Sequence, residues 1–305
     1  MKFTIYQDSR LGKRRNNEDR LAHCYSRDAL LMVIADGMGG HYYGEVAAQI
    51  AVQTLIESFQ RQAGPMLDNP FLFLQQSILN GHYAISDFSE QHRLEDSPRT
   101  TCVACIVQNN VAYWAHAGDS RLYLIRDGRV LTHTRDHSRV QLLLDQGVIN
   151  EAQAAVHPER NRVYSCLGGP RLPEIEFSHK MPLEEGDVLV LCTDGIWNAV
   201  SDEALAKALY SDNLIHSASA LLDDIDEHSG SNADNFSIIA VRWEDAYIEA
   251  PDSLFSISTQ SMPIDSITTA LDAFGHSTSY KSELSEEEIE QAIEEIRHAI
   301  QKYAK

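Results

Sequence analysis

Hydrophobic and polar positions change period along the chain, and each change predicts an element. Residues 29–35 (ALLMVIA) form an unbroken apolar run of strand length that ends at Asp36. Residues 44–62 place Val46, Ile50, Leu55, Ile56 and Phe59 at helical spacing. Residues 70–91 do the same with Phe71, Leu74, Ile78, Tyr83 and Ile85. Strands then crowd together. Runs at 101–107 and 111–116 are separated by Gln-Asn-Asn, a hairpin signal. Runs at 121–125 and 129–134 flank Asp127-Gly128, a dipeptide favoured in tight hairpin turns. Two further apolar strands are predicted at 188–192 and 237–243, and helices at 138–146, 202–210 and about 214–227. Short turns between strands force antiparallel pairing. Antiparallel strands with helices grouped apart from them predict a layered α+β fold rather than a doubly wound parallel sheet.

The pattern changes after residue 243. Residues 252–281 read as a linker rich in Ser, Thr and Asp. Ser285-Glu-Glu-Glu288 is a capping box that opens an amphipathic helix over 285–304, with Ile289, Ala292, Ile293, Ile296, Ala299, Ile300 and Tyr303 on one face. Two uses suit such a face: packing back on the preceding domain, or binding a partner or a second copy. The chain thus divides into a domain at 1–243 and an acidic extension at 244–305.

Composition narrows the function. Of 305 residues, 25 are Lys or Arg and 45 are Asp or Glu, a net charge of −20. Residues 244–305 hold 13 acids against 4 bases. Phosphates repel a chain of this sign, which argues against nucleic acid and anionic membrane as partners. The first residues lack an apolar signal core and no run is long enough to span a bilayer, so a cytoplasmic location is expected. Five scattered cysteines fit reduced thiols. Cys102 and Cys105 are spaced C-x-x-C, but within a strand the two point to opposite faces, so no metal or redox site is expected there.

The aspartates carry the chemistry. Asp36-Gly37, Gly118-Asp119 and Asp194-Gly195 each end or adjoin an apolar strand, and Asp234-Asn235 immediately precedes one. A single Asp-Gly is usually a turn; four such placements beside core strands suggest carboxylates converging at a sheet end. Converging carboxylates repel and need cations, and an all-oxygen set selects hard ions such as Mg²⁺ or Mn²⁺. Two such ions suit attack at phosphorus. The glycine-rich stretch from Asp36 to Gly44 lets backbone approach an ion or a phosphate. Arg14-Arg15-Asn16-Asn17-Glu18-Asp19 adds a fork for phosphate oxygens and acids that can bond metal-held waters.

These residues resemble the metal-dependent protein phosphatases, the PPM or type 2C serine/threonine phosphatases, in their bacterial form. The matching segments are RRNNED (14–19), VIADGMGGHYYGEVAA (33–48), TTCV (100–103), AHAGDSRLY (115–123), LTHTRDHS (131–138), CLGG (166–169), LVLCTDGIWN (189–198) and DNFSIIAV (234–241). The resemblance implies a four-layer αββα sandwich: two antiparallel sheets face to face, with helix pairs outside. It implies two Mn²⁺ or Mg²⁺ ions and a third, weaker one. Asp36 would bridge the pair, the Gly37 carbonyl would bind the first, and Asp194 and Asp234 the second. Glu18 and Asp19 would act through metal-bound waters, Arg14 would bind the substrate phosphate, and Asp119 with Asp194 would hold the third ion. A mobile flap would span 136–160. Where animal members carry a histidine two positions after the bridging aspartate, this chain has Met38, and no acid role passes to His41. The implied reaction is direct hydrolysis of phosphoserine and phosphothreonine in proteins by a metal-bridging hydroxide, with a eukaryotic-like Ser/Thr kinase as the expected counterpart. The alternative is a catalytically silent protein of the same fold that binds or regulates phosphoproteins; such proteins usually lack a metal aspartate, and Asp36, Asp119, Asp194 and Asp234 are all present. No Arg stands six residues after any cysteine, which counts against cysteine-dependent phosphatase chemistry.

Overall fold

The computed structural model describes residues 1–38, 43–230, 233–245, 256–259, 262–264 and 266–272. In chain order the elements are β1 (Lys2–Arg10), β2 (Asp19–Tyr25), β3 (Ala29–Met38), α1 (Gly44–Gln62), α2 (Pro70–Gln91), β4 (Arg99–Thr100), β5 (Cys102–Gln108), β6 (Val111–Ala117), β7 (Arg121–Arg126) and β8 (Arg129–His133). Then follow α3 (Arg139–Asp145), α4 (Glu151–Ala155), β9 (Glu176–Phe177), β10 (Met181–Pro182), β11 (Val188–Cys192), α5 (Asp194–Trp197), α6 (Asp202–Leu209), α7 (Leu214–His228), β12 (Phe236–Trp243), β13 (Ser256–Ser258) and β14 (Thr268–Asp272).

Two antiparallel sheets result. One runs β13-β1-β12-β11-β7-β8; the other runs β10-β6-β5-β3-β2-β14, with β4 on β3 and β9 on β6. Their facing sides share one core, in which Phe3, Leu189, Ile239 and Trp243 of the first sheet meet Leu30, Met32, Val103 and Trp114 of the second. A second core joins the β5-β3-β2 region to α1 and α2 through Val33, Ile106, Leu55, Phe59 and Leu74. A third joins β7, β11 and β12 to α6 and α7 through Val190, Ile238, Leu205 and Leu222. The layers are therefore helix, sheet, sheet, helix, as expected.

Burial on both faces explains the unbroken apolar runs. In β5, Cys102, Ala104 and Ile106 face the helices, whereas Val103, Cys105 and Val107 face the opposite sheet. Cys102 and Cys105 thus lie on opposite sides of one strand. Both hairpin turns adopt the left-handed backbone that their residues favour: φ is 54° and 56° at Asn109 and Asn110, and 50° and 69° at Asp127 and Gly128.

Two segments differ from the sequence reading. The strands β1 and β2 carry too many polar residues to stand out, and pairing with β12 and β3 defines them. The stretch read as a linker, 252–281, contains β13, which adds to the edge at β1, and β14, which adds to the edge at β2. Their short polar sequences gain partners from the sheet edges, while Ile257 and Ile267 pack against two of the cores. The expected flap contains α3 and α4, with N-caps at Ser138 and Asn150. The helix expected at 285–304, and His41, lie outside the described residues.

Candidate active site

The site forms where strand ends of both sheets meet. Asp19 begins β2 and Asp36 lies near the end of β3, and the two are direct cross-strand partners. Asp194 follows β11 and Asp234 precedes β12, neighbouring strands of the other sheet. Asp119 sits in the turn between β6 and β7. The structure brings these five carboxylates together, with Glu18 beside them.

Hydrogen bonds and close backbone approach hold the segments of Asp36, Glu18 and Asp234 in place. The Asp36 amide donates to Thr101 Oγ1 at 2.9 Å, and its carbonyl accepts from the Thr101 amide and from Thr100 Oγ1, each at 2.9 Å. Gly37 is required by proximity: a Cβ there would lie 2.3 Å from the Gly44 carbonyl oxygen and 2.8 Å from that of Glu18. Gly12, at φ +59°, would put a Cβ 2.1 Å from the Asp234 carbonyl oxygen. Asn235 organises the β1–β2 loop. Its Oδ1 accepts from the Glu18 amide at 2.9 Å, and its Nδ2 donates to the carbonyls of Leu11 at 2.8 Å and Asn16 at 3.0 Å. That loop carries Arg14, whose Nη2 lies 2.6 Å from Asp234 Oδ2. The Arg14 side chain is 55% exposed, so its fork can be reached from solvent.

Electrostatics sets this cluster apart. Burial, then the charges of Asp19, Asp194, Asp119 and Asp234, holds the Asp36 carboxyl well above the usual carboxylate range. Asp194 is raised by burial and then by Asp119, Asp234 and Asp19. Asp19 is pushed up to about 6, mainly by burial, and Asp119 to about 7 by burial and then Asp136. Glu18 reaches about 7 through burial and then Glu45. A cluster of this kind favours protons or cations over free carboxylates.

The donor set fits hard divalent ions. Asp19 Oδ2 accepts from Thr193 Oγ1 at 2.9 Å and Ser237 Oγ at 2.7 Å, but its buried Oδ1 has no protein partner. A buried, unsatisfied carboxylate oxygen among four other carboxylates suits an ion or its bound water.

The sequence reading assigned no role to Asn235, Thr101, Thr193 or Ser237. Their place beside the motif acids was the available signal, but their hydrogen bonds cross between distant segments. It also passed over the bracket around Asp136. Arg121 grips Asp136 at 2.7 and 2.8 Å and lies 3.9 Å over the Trp197 ring, while Trp197 Nε1 donates to the Asp119 carbonyl at 2.9 Å.

A sheet-on-sheet sandwich with carboxylates converging at one end is the architecture of the metal-dependent protein phosphatases. The chain belongs to that group: the sequence model of the protein phosphatase 2C family matches residues 6–224. It is 35% identical over 211 residues to the serine/threonine protein phosphatase PstP of Mycobacterium tuberculosis, which covers 69% of this chain and 39% of that protein. The chain thus spans well under half the length of this curated relative. Among solved structures, the S. agalactiae serine/threonine phosphatase superposes with a TM-score of 0.73 at 28% identity, covering 79% of this chain and 100% of that one. The catalytic domain of PstP in complex with two manganese ions superposes with a TM-score of 0.68 at 30% identity, covering 80% and 99%. Among the described residues, no helix is long and apolar enough to cross a membrane.

Proposed function

We propose that this chain hydrolyses phosphoserine and phosphothreonine esters in proteins, using two divalent ions of the manganese or magnesium class. The observation that carries the reading is the convergence of five carboxylates with an unpartnered Asp19 oxygen among them. The manganese-bound PstP neighbour supports the choice of ion. Asp36 and the Gly37 carbonyl would hold the first ion, and Asp36, Asp194 and Asp234 the second. Glu18 and Asp19 would orient waters around them. Asp119 stands closest in effect to Asp194, since its charge is the strongest acting on that carboxyl, and the pair is suited to a third, weaker ion.

Divalent ions held there would lower the pKa of a bound water for attack at phosphorus and neutralise phosphoryl charge. The chain's own residues do the rest. Arg14 presents two N–H donors to the equatorial phosphate oxygens as it exchanges Asp234 for substrate. Thr100, Thr101 and Asn235 keep the acids at fixed separation. The flap at 136–160 borders the site and shapes which phosphoproteins fit. A eukaryotic-like Ser/Thr kinase would supply those substrates, the cytoplasm is the expected compartment, and the helix at 285–304 would serve partner binding or self-association.

The test is hydrolysis of a phosphothreonine peptide with Mn²⁺, with Mg²⁺ and with EDTA, beside Asp194→Ala. Turnover that requires metal and disappears in the variant is the expected result. A folded, Mn²⁺-binding protein without turnover would refute it and favour a silent phosphoprotein binder.

A further inference from the structure

A second cluster of metal-ligating side chains adjoins the carboxylates but shares no residue with them; His137 bonds the backbone of Gly118, next to Asp119. His116 stands near the end of β6, His137 in the loop between β8 and α3, and Glu176 on β9. One ligand atom from each falls within 4.8 Å of the other two. His116 and Glu176 are direct partners across the β6–β9 ladder, so they share one face of the sheet. The two imidazole rings lie side by side, 4.6 Å apart between centroids and tilted by 30°.

The independent pointer to a ligand is His116 itself. The residue is 2% exposed, and its Nδ1 has no hydrogen-bond partner. Its Nε2 lies 2.7 Å from the Arg135 carbonyl oxygen. A carbonyl only accepts, so Nε2 carries the proton and Nδ1 presents a bare lone pair. That is the tautomer of a metal-ligating histidine, fixed by a carbonyl on its far nitrogen. An unsatisfied buried nitrogen is costly unless something occupies it.

We propose that His116, His137 and Glu176 form a binding site for a zinc-class divalent ion, built from residues other than the carboxylate cluster. Two imidazoles and one carboxylate suit Zn²⁺, with a water at the fourth position, whereas the all-oxygen cluster suits harder ions. His137 Nε2 lies 3.5 Å from Glu176 Oε2. Its Nδ1 accepts from the Gly118 amide at 3.3 Å, long for an amide bond. Ion binding at Nε2 moves the ring proton to Nδ1 and displaces that weak contact, with no net proton release from the ring. Burial, with His116 beside it, pushes His137 down to about 4, so the ring is neutral and available at ordinary pH. Glu176 is half exposed and opens the site to solvent. The ligands flank the flap in sequence, His137 at its start and Glu176 beyond its end. A bound ion would therefore tie the start of the 136–160 segment, through His137, to β6 and β9.

The test is Zn²⁺ titration by calorimetry with saturating Mg²⁺ on the carboxylate cluster, for the full chain, His116→Asn and Glu176→Gln. Co²⁺ absorption serves as a ligand-sensitive readout. Glu176 is exposed, so its amide variant keeps the fold even if the histidine variant does not. The expected result is one tight Zn²⁺ equivalent in the full chain, weakened roughly ten-fold or more in both variants, with a Zn²⁺-dependent rise in Tm that the variants lack. Equal Zn²⁺ affinity in all three proteins, or no uptake by the full chain, would overturn the proposal.

Discussion

At the residue scale, the aspartates are held where they destabilise one another. An acid raised above its ordinary value destabilises the folded chain at pH above the raised value, and the penalty fades as pH falls through it toward the unfolded value. Asp119, at about 7, carries this penalty through the neutral range. In EDTA, Asp119→Asn is expected to stabilise the protein at pH 8, on the order of 2 kcal/mol, and the gain should shrink toward pH 5. Calorimetric Tm values across that range check it; a variant destabilised equally at every pH would refute the account. The same shifts predict that Mn²⁺ affinity rises between about pH 5.5 and 7.5, because Asp19 at about 6 and Glu18 at about 7 must shed protons as ions bind. Titration calorimetry in buffers of unlike ionisation enthalpy should show proton release that declines with pH. Arg14→Ala is expected to lower kcat/KM roughly 100-fold while leaving Mn²⁺ binding in place, and Arg14→Lys should recover little, since an ammonium cannot present the fork.

At the element scale, the positions of the acids depend on a few cross-links between segments far apart in sequence. Asn235 makes three hydrogen bonds to the loop at 11–18. Asn235→Ala should cost about 1–3 kcal/mol and raise KM for phosphopeptide more than Asp234 geometry alone would require, read by denaturant unfolding and steady-state kinetics. Such links explain what the sequence could and could not disclose. Strand β3 and helices α1 and α2 were legible because β3 is buried on both faces and the helices carry a clear apolar stripe. The hairpin turns were legible because Asn-Asn and Asp-Gly accept left-handed backbone. The motif acids were legible as a set, through spacing and family resemblance. Asn235, Thr193 and Ser237 were not, since a hydrogen bond across more than 40 positions leaves no local pattern. Strands β1 and β2 were missed for a related reason: their polar residues find partners only after the sheets assemble, as when His23 Nδ1 meets Gln7 Oε1 at 2.7 Å.

At the scale of the whole molecule, the segment after Trp243 completes the sheets. β13 covers β1 and β14 covers β2, so both sheets are extended by the part of the chain that reads as a linker. Truncation after Trp243 is expected to lower Tm and promote self-association, because two strands would lose their neighbours and expose unpaired backbone. Scanning calorimetry and light scattering would check this; unchanged values would show that the edge strands add nothing.

The pairing of β1 with β12 also governs how the protein can be made. Phe3 meets Trp243 across that ladder, so the first strand of this domain waits for nearly its last. The sheet built on β2, β3, β5 and β6 has its central strands once residue 117 has left the ribosome. The other sheet does not. At roughly 5–20 residues per second, β1 stays unmatched for ten seconds or more. Asp194 and Asp234 arrive with the late strands, so the full acidic cluster cannot gather metal until β11 and β12 have been made. The nascent chain is chemically silent until its scaffold is all but finished.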